Sequence, residues 1–371
     1  MRTATKSLHE NVASIGTSLG FKVVHEFAIP KLPGYGPVLD VAWFRALTTA
    51  QRRALEKLDA AIPVRPEGLL VAGWEVEGSD ASTRGMQADL ANLRVSGAPF
   101  RFLAAAGGTT DNLAVRAARL ARTQARYFGG DGVAVFDARR LPKLAAEPLS
   151  PTLATLSPSK LRKKKGGGGE GPWAEKTRAT LRQRGEAAGF VVFESYPSPH
   201  PVGAELTTSY VDMVWALPMP VGLAALAKAI DAPRATRFVD MPQADHVAVV
   251  GFELENNDKK HAFGGLLTLA SHAMAGVFVA GNASAVRAAR EAMKTYSAHY
   301  PLARVTVCHD QPPPRPRCTA RQPPRLRPQG FGALARPGWP GSRCISRSLA
   351  DRDRRRILPR ERARSLRRGG A

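Results

Sequence analysis

The chain says nearly the same thing twice, and a sequence that repeats itself is expected to fold as two versions of one unit. Val38-Leu39-Asp40-Val41-Ala42-Trp43 is followed by Gly73-Trp74-Glu75-Val76-Glu77, then by Ala114-Val115-Arg116-Ala117-Ala118-Arg119. About 170 residues later the same three blocks return in the same order. They are Tyr210-Val211-Asp212-Met213-Val214-Trp215, Gly251-Phe252-Glu253-Leu254-Glu255 and Ala285-Val286-Arg287-Ala288-Ala289-Arg290. Chance supplies one such match more easily than three in order. Each set also carries acidic residues at matching places inside apolar stretches.

Short apolar runs separated by helical periods predict a mixed α/β unit. In the first repeat a helix over about 4–19, stopped by Gly20, precedes strands over 21–29 and 38–44. A charged helix over 48–61 is inserted before a strand over 68–77. A helix over 82–95, a strand over 100–105, a helix over 111–128 and a strand over 132–137 complete the unit. In the second repeat a helix over 173–188 stops at Gly189, and strands follow over 190–196 and 206–217. A variable insertion reaches Asp245. A strand over 246–255, a helix over 260–274, a strand over 276–280, a helix over 283–299 and a strand over 303–308 finish the plan. The expected organisation is therefore a first domain over 1–148 and a second over 172–308.

The segment 149–171 combines Ser/Pro turns, the basic run Lys160-Leu161-Arg162-Lys163-Lys164-Lys165 and four glycines at 166–169. That is the composition of a flexible basic linker. Its glycines and lysines do not follow the phosphate-loop order, and no strand precedes them. From His309 onward the chain holds 17 Arg, no Lys and 4 acidic residues, a net of +13, which leaves +10 of the total +23 for residues 1–308. The stretch 309–371 shows no sustained hydrophobic period and is expected to be disordered. It reads either as a basic arm for nucleic acid or as an out-of-frame extension, and the sudden change of composition favours the second. The basic body points to an anionic partner, most often nucleic acid. Its alternative is the solvated surface of a basic protein.

Cys308, Cys318 and Cys344 all lie at or beyond the end of the second repeat, so neither repeat is expected to depend on disulfides, and no Cys/His spacing suits zinc. The first residues lack the apolar core of a signal peptide, and no apolar run approaches membrane-spanning length. The expectation is a soluble, cytoplasmic protein without a membrane partner.

Asp40 and Asp212 sit in apolar strands, where a carboxylate is costly unless it is paired, hydrogen-bonded or bound to a metal. Glu75 and Glu77 are two apart on a strand and share a face, as do Glu253 and Glu255. Like charges so placed repel, and a divalent cation with oxygen ligands, such as Mg²⁺, removes that penalty. A solvated sheet edge explains one Glu-x-Glu equally well. Two copies, each after a strand-borne Asp and before a matching helix, favour the metal. Beyond the acids, Lys259 and Lys260 follow the second Glu-x-Glu, whereas the first has Arg84, which makes the second repeat the expected better catalyst. Ser79 and Asn257 share one polar position beside the acids. Arg116 and Arg119, like Arg287 and Arg290, are three apart on a helix and share a face, fit either for solvent or for a phosphate backbone. Trp43 and Trp215 are expected in the core.

This arrangement resembles the PD-(D/E)XK, or restriction-endonuclease-like, superfamily. That family's core runs helix, three strands, helix, strand, with Asp on the second strand and (D/E)-x-K on the third. Asp40 with Glu75-Val76-Glu77, and Asp212 with Glu253-Leu254-Glu255, fall on those positions. Glu77 and Glu255 stand where Lys is usual, a departure that some restriction enzymes share. The resemblance implies a tandem duplication of the core. It also implies an endonuclease, a hydrolase of phosphodiester bonds, that uses Mg²⁺ or Mn²⁺. Asp40, Glu75, Asp212 and Glu253 would be the metal ligands, and Glu77, Glu255 and Lys259 would complete the catalytic sets. DNA is the expected substrate, and two fused units would form a pseudo-two-fold pair within a monomer. A second reading is a non-catalytic nucleic-acid-binding or assembly protein with decayed sites, which the missing lysines favour. A third is an orphan domain of a defence or mobile-element system that works with partner proteins.

Overall fold

In a computed structural model of the chain, the residues described are 3–29, 36–58, 64–78, 82–106, 115–121, 133–158, 171–197, 210–231, 244–256, 259–297 and 304–309. Met1–Arg315 form one compact unit. Apart from His309, the Arg/Pro-rich segment 309–371 lies outside the described residues, as do the basic run and glycines of 160–169.

The architecture is mixed α/β. The first half contains α1 (Thr3–Ser18), β1 (Lys22–Ala28), β2 (Val38–Arg45), α2 (Thr49–Glu56), β3 (Val64–Arg65), β4 (Gly68–Glu77), α3 (Thr83–Val95) and β5 (Phe100–Ala105). It continues with α4 (115–121), β6 (Ala134–Asp137), a single 3₁₀ turn and α5 (Leu141–Ala146). The second half contains α6 (Pro172–Ala187), β7 (Val191–Pro197), β8 (Tyr210–Pro218), α7 (Val221–Asp231), β9 (His246–Glu255), α8 (Lys259–His272), β10 (Ala275–Ala280), α9 (Ala283–Tyr296) and β11 (Val305–His309).

Each half builds one mixed sheet. The first has the order β1-β2-β4-β5-β6, with β3 on β4, and the second has the order β7-β8-β9-β10-β11. In both, the first two pairings are antiparallel and the last two parallel. The registers correspond as well. Val41 pairs with Trp74 and Met213 with Phe252, and each second strand slips register directly after its tryptophan, Trp43 or Trp215.

The helix that opens each half shows why the glycines recur. Gly20 and Gly189 end α1 and α6 at φ 80° and φ 84°, a left-handed conformation that glycine adopts without a Cβ clash. One turn earlier, a Cβ on Gly16 would lie 2.5 Å from Trp43 Nε1, and a Cβ on Gly185 would lie 2.5 Å from Trp215 Nε1. Each indole therefore packs directly on helix backbone. Both tryptophans are buried, stacked on Phe21 and Phe190 at centroid distances of 5.6 and 5.5 Å.

One apolar cluster runs through both halves, joining Val12, Trp43, Trp74 and Phe102 to Leu181, Trp215, Phe252 and Val277. The opposite face of each sheet has its own cluster. Leu39, Phe44, Leu90 and Leu93 lie under α3, and Val214, Leu266, Leu269 and Ala289 lie under α8 and α9. The halves are also tied by hydrogen bonds. Gln51 Nε2 donates to Gly189 O at 3.0 Å, and the Arg140 guanidinium donates to Ile230 O at 3.2 Å and to Ala229 O. Residues 149–158, the start of the expected linker, hydrogen-bond to the second half through Ala154 N to Met219 O and Val221 N to Thr152 O, at 2.9 and 2.8 Å. α7 fills the segment read as a variable insertion. It buries Leu223, Leu226 and Ile230, which recur at helical spacing, in the shared core. Among the described residues, no helix is long and apolar enough to cross a membrane.

Candidate functional site

In both halves the acids gather where β2 or β8 begins and β4 or β9 ends. An Asp one residue before the paired positions can reach across to the neighbouring strand. Asp40 Oδ2 accepts a hydrogen bond from Val76 N at 2.8 Å, and Asp212 Oδ2 accepts one from Leu254 N at 2.9 Å. Each half-buried Asp thus spans the middle residue of its Glu-x-Glu.

The first site holds more acid than its motif. Glu75 is only 3% exposed. Burial, then the charges of Asp40 and Asp89, push its carboxyl up to about 10, with a side-chain hydrogen bond from Asn92 acting the other way. Asp89, on α3, is itself raised, first by burial and then by its hydrogen bond to Glu77 and the charges of Glu77 and Asp40. The four carboxyls therefore stand as two pairs, Glu75 with Asp40 and Asp89 with Glu77. His9 Nε2, from α1, lies 3.7 Å from Asp40 Oδ2. The start of α3 approaches Glu77: a Cβ on Gly85 would lie 3.5 Å from Glu77 Oε1. Ser82 caps this helix, its Oγ accepting from Gly85 N at 2.9 Å.

The donor set suits a hard divalent cation, since every candidate ligand is a carboxylate oxygen. Glu75 Oε1 and Asp89 Oδ2 are buried and lack a hydrogen-bond partner among the described residues, an arrangement that is costly unless something completes it. Among the described residues, no three His, Cys, Asp or Glu side chains already stand together as a metal-ligating group. A cation would have to displace the shared protons and draw the two pairs together.

The second site is built on the same backbone and has different chemistry. Arg178 Nη2, from α6, lies 3.8 Å from Asp212 Oδ1, and the guanidinium, 5% exposed, also senses the charge of Glu253. Glu253 and Glu255 are half-buried. Gly265 faces Glu253 from α8, where a Cβ would lie 3.5 Å from Glu253 Cγ. Lys259 begins α8. Its side chain and that of Lys260 lie outside the described residues, as do Ser79 and Asn257. Arg84 is exposed at the start of α3.

The arginine blocks lie on helices whose alanines pack inward. Ala117, Ala118, Ala288 and Ala289 are buried, whereas Arg119, Arg287 and Arg290 are exposed and Arg116 is half-buried. Reading the sequence missed Asp89, Asn92, His9 and Arg178, because all four lie on helices and meet the acids only through packing. A signal for Asp89 was present in its place beside the buried stripe Met86, Leu90 and Leu93. No protein-family model, curated protein or solved structure matches this chain.

Proposed function

We propose that the chain is a tandem duplication of a restriction-endonuclease-like unit that hydrolyses phosphodiester bonds in DNA with Mg²⁺ or Mn²⁺. The observation that carries this reading is the meeting of Asp40, Glu75, Glu77 and Asp89, with two buried carboxyl oxygens left without hydrogen-bond partners among the described residues. The duplication is supported by the shared strand order, strand senses, register and register slip of the two sheets.

Asp40, Glu75 and Asp89 would hold the cation. When bound, it would orient and activate water and stabilise charge on the scissile phosphate. The backbone amide of Val76 fixes Asp40, so the ligand need not be ordered when substrate arrives. Glu77 is half-buried at the strand end, where its carboxylate would serve as the base that accepts a proton from water, with Asp89 among the residues that would hold the cation. Arg119, Arg287 and Arg290 present exposed positive charge for the phosphate backbone.

The pairing of Arg178 with Asp212 favours a second reading, a nucleic-acid-binding protein whose sites have decayed. Incubating the full chain with supercoiled plasmid and with single-stranded DNA, with and without Mg²⁺ or Mn²⁺, separates the two. Hydrolysis requires cation-dependent cutting that Asp40→Asn abolishes. Wild-type protein that binds DNA and leaves it whole under every metal tested supports the binding protein instead.

A further inference from the structure

We infer that the protein holds its divalent cation in the first half alone, because Arg178 supplies in the second half the positive charge that a metal supplies in the first. This rests on the metal reading of the first site. The two helices that flank the acids set up the difference. Arg178 precedes Gly185 by the same seven residues that separate His9 from Gly16, and both glycines pack on the equivalent tryptophans. His9 and Arg178 are therefore counterparts, one residue facing each Asp, at 3.7 and 3.8 Å. Arginine brings a fixed positive charge to that place, since its guanidinium stays protonated in proteins.

The helix on the other side differs in the same sense. A Cβ on Gly73 would lie 3.5 Å from Leu93 Cδ2, and a Cβ on Gly251 would lie 3.1 Å from Leu269 Cδ2. Leu93 and Leu269 are thus equivalent, and four residues before them stand Asp89 and Gly265. Among the described residues, the second site loses one carboxylate and gains one fixed cation, a change of two charges against binding a metal. Among the described residues, Glu75 Oε1 and Asp89 Oδ2 are buried without a hydrogen-bond partner, and no carboxyl oxygen of Asp212, Glu253 or Glu255 is. The Asp212 backbone contact is present in the second half as in the first, Leu254 N donating to Asp212 Oδ2 at 2.9 Å.

One cation site per chain makes the protein a strand-nicking enzyme, with the second half serving as a binding and packing partner. Titrating the full chain with Mn²⁺ by calorimetry, in the absence of DNA, counts the sites directly. The expected stoichiometry is one. Asp89→Asn should weaken the binding at least tenfold, Asp212→Asn should leave the stoichiometry at one, and Arg178→His should add a second, weaker site. Circular dichroism of each variant checks that it is folded. Two sites in the wild type, or a single site lost in Asp212→Asn and kept in Asp89→Asn, overturns the inference and leaves the metal reading standing. No binding by folded wild-type protein overturns the metal reading itself.

Discussion

Replacing the ionisable carboxyl of Glu75 with a neutral amide should stabilise the metal-free protein, and increasingly so as pH rises. In the unfolded chain this carboxyl titrates near its ordinary 4.5; in the fold, burial and the neighbouring carboxylates hold it protonated up to about 10. Above the unfolded value the unfolded chain therefore binds fewer protons than the folded one, and stability falls as pH rises towards the folded value. The slope is about 1.4 kcal/mol per pH unit, so about 4 kcal/mol is lost between about pH 5 and pH 8. Glutamine keeps the shape of the side chain and has no proton to lose. Glu75→Gln should therefore exceed the wild type by less than about 1 kcal/mol near pH 5 and by about 4–5 kcal/mol near pH 8. In a unit of this size that difference is about 5–10 °C in Tm. Thermal unfolding of both proteins in EDTA across this range measures it, and titrations common to the two proteins cancel in the difference. Adding Mn²⁺ near pH 8 should close the gap, because only the wild type keeps the ligand. Parallel pH profiles, or a wild type that gains on the variant as pH rises, would show that Glu75 ionises freely and would refute the reasoning.

Three further outcomes are expected. Mn²⁺ binding near pH 7 should release one to two protons, about one each from Glu75 and Asp89, and calorimetry in buffers of different ionisation enthalpy reads this; no buffer dependence would show that the acids are already ionised. Gly16→Ala and Gly185→Ala each place a Cβ 2.5 Å from an indole nitrogen and should each cost about 1–3 kcal/mol by overpacking, with a changed near-ultraviolet dichroism from the displaced tryptophan; unchanged melting would mean that the helices stand further off. Arg287→Ala and Arg290→Ala should weaken binding to all DNA sequences alike and lower the slope of log affinity against log salt by about one each, measured by fluorescence anisotropy; an unchanged slope removes these residues from the interface.

Much of the element order was legible because period and punctuation are local properties. β4, β5 and β9 lie where short, continuous apolar runs place them, and Gly20 and Gly189 end their helices because a left-handed turn needs no Cβ there. The pairing of each Asp with its Glu-x-Glu followed from the repeat itself, since two copies of one spacing point to two copies of one strand neighbourhood. α7 is not among the expected elements although Leu223, Leu226 and Ile230 recur at helical spacing, because its segment reads as a variable insertion between the repeated blocks.

Only the tertiary structure decided what each buried face meets. Periodicity tells that Leu90 and Leu93 turn inward and places Asp89 beside them, but only packing decides that Asp89 meets Glu77. His9 and Arg178 read as ordinary helix residues until packing sets each beside an Asp. The sequence placed the better site in the second half, on the strength of Lys259 and Lys260; the packing of Asp89 in one half and of Arg178 in the other is what moves the proposed metal to the first. One apolar cluster runs through both halves, which neither the repeat nor the linker composition specifies. Strand and helix identity arise from the turn-by-turn chemistry of neighbouring residues, whereas the charge of a site is the sum over side chains that lie far apart in the chain and meet only when the sheets and helices pack.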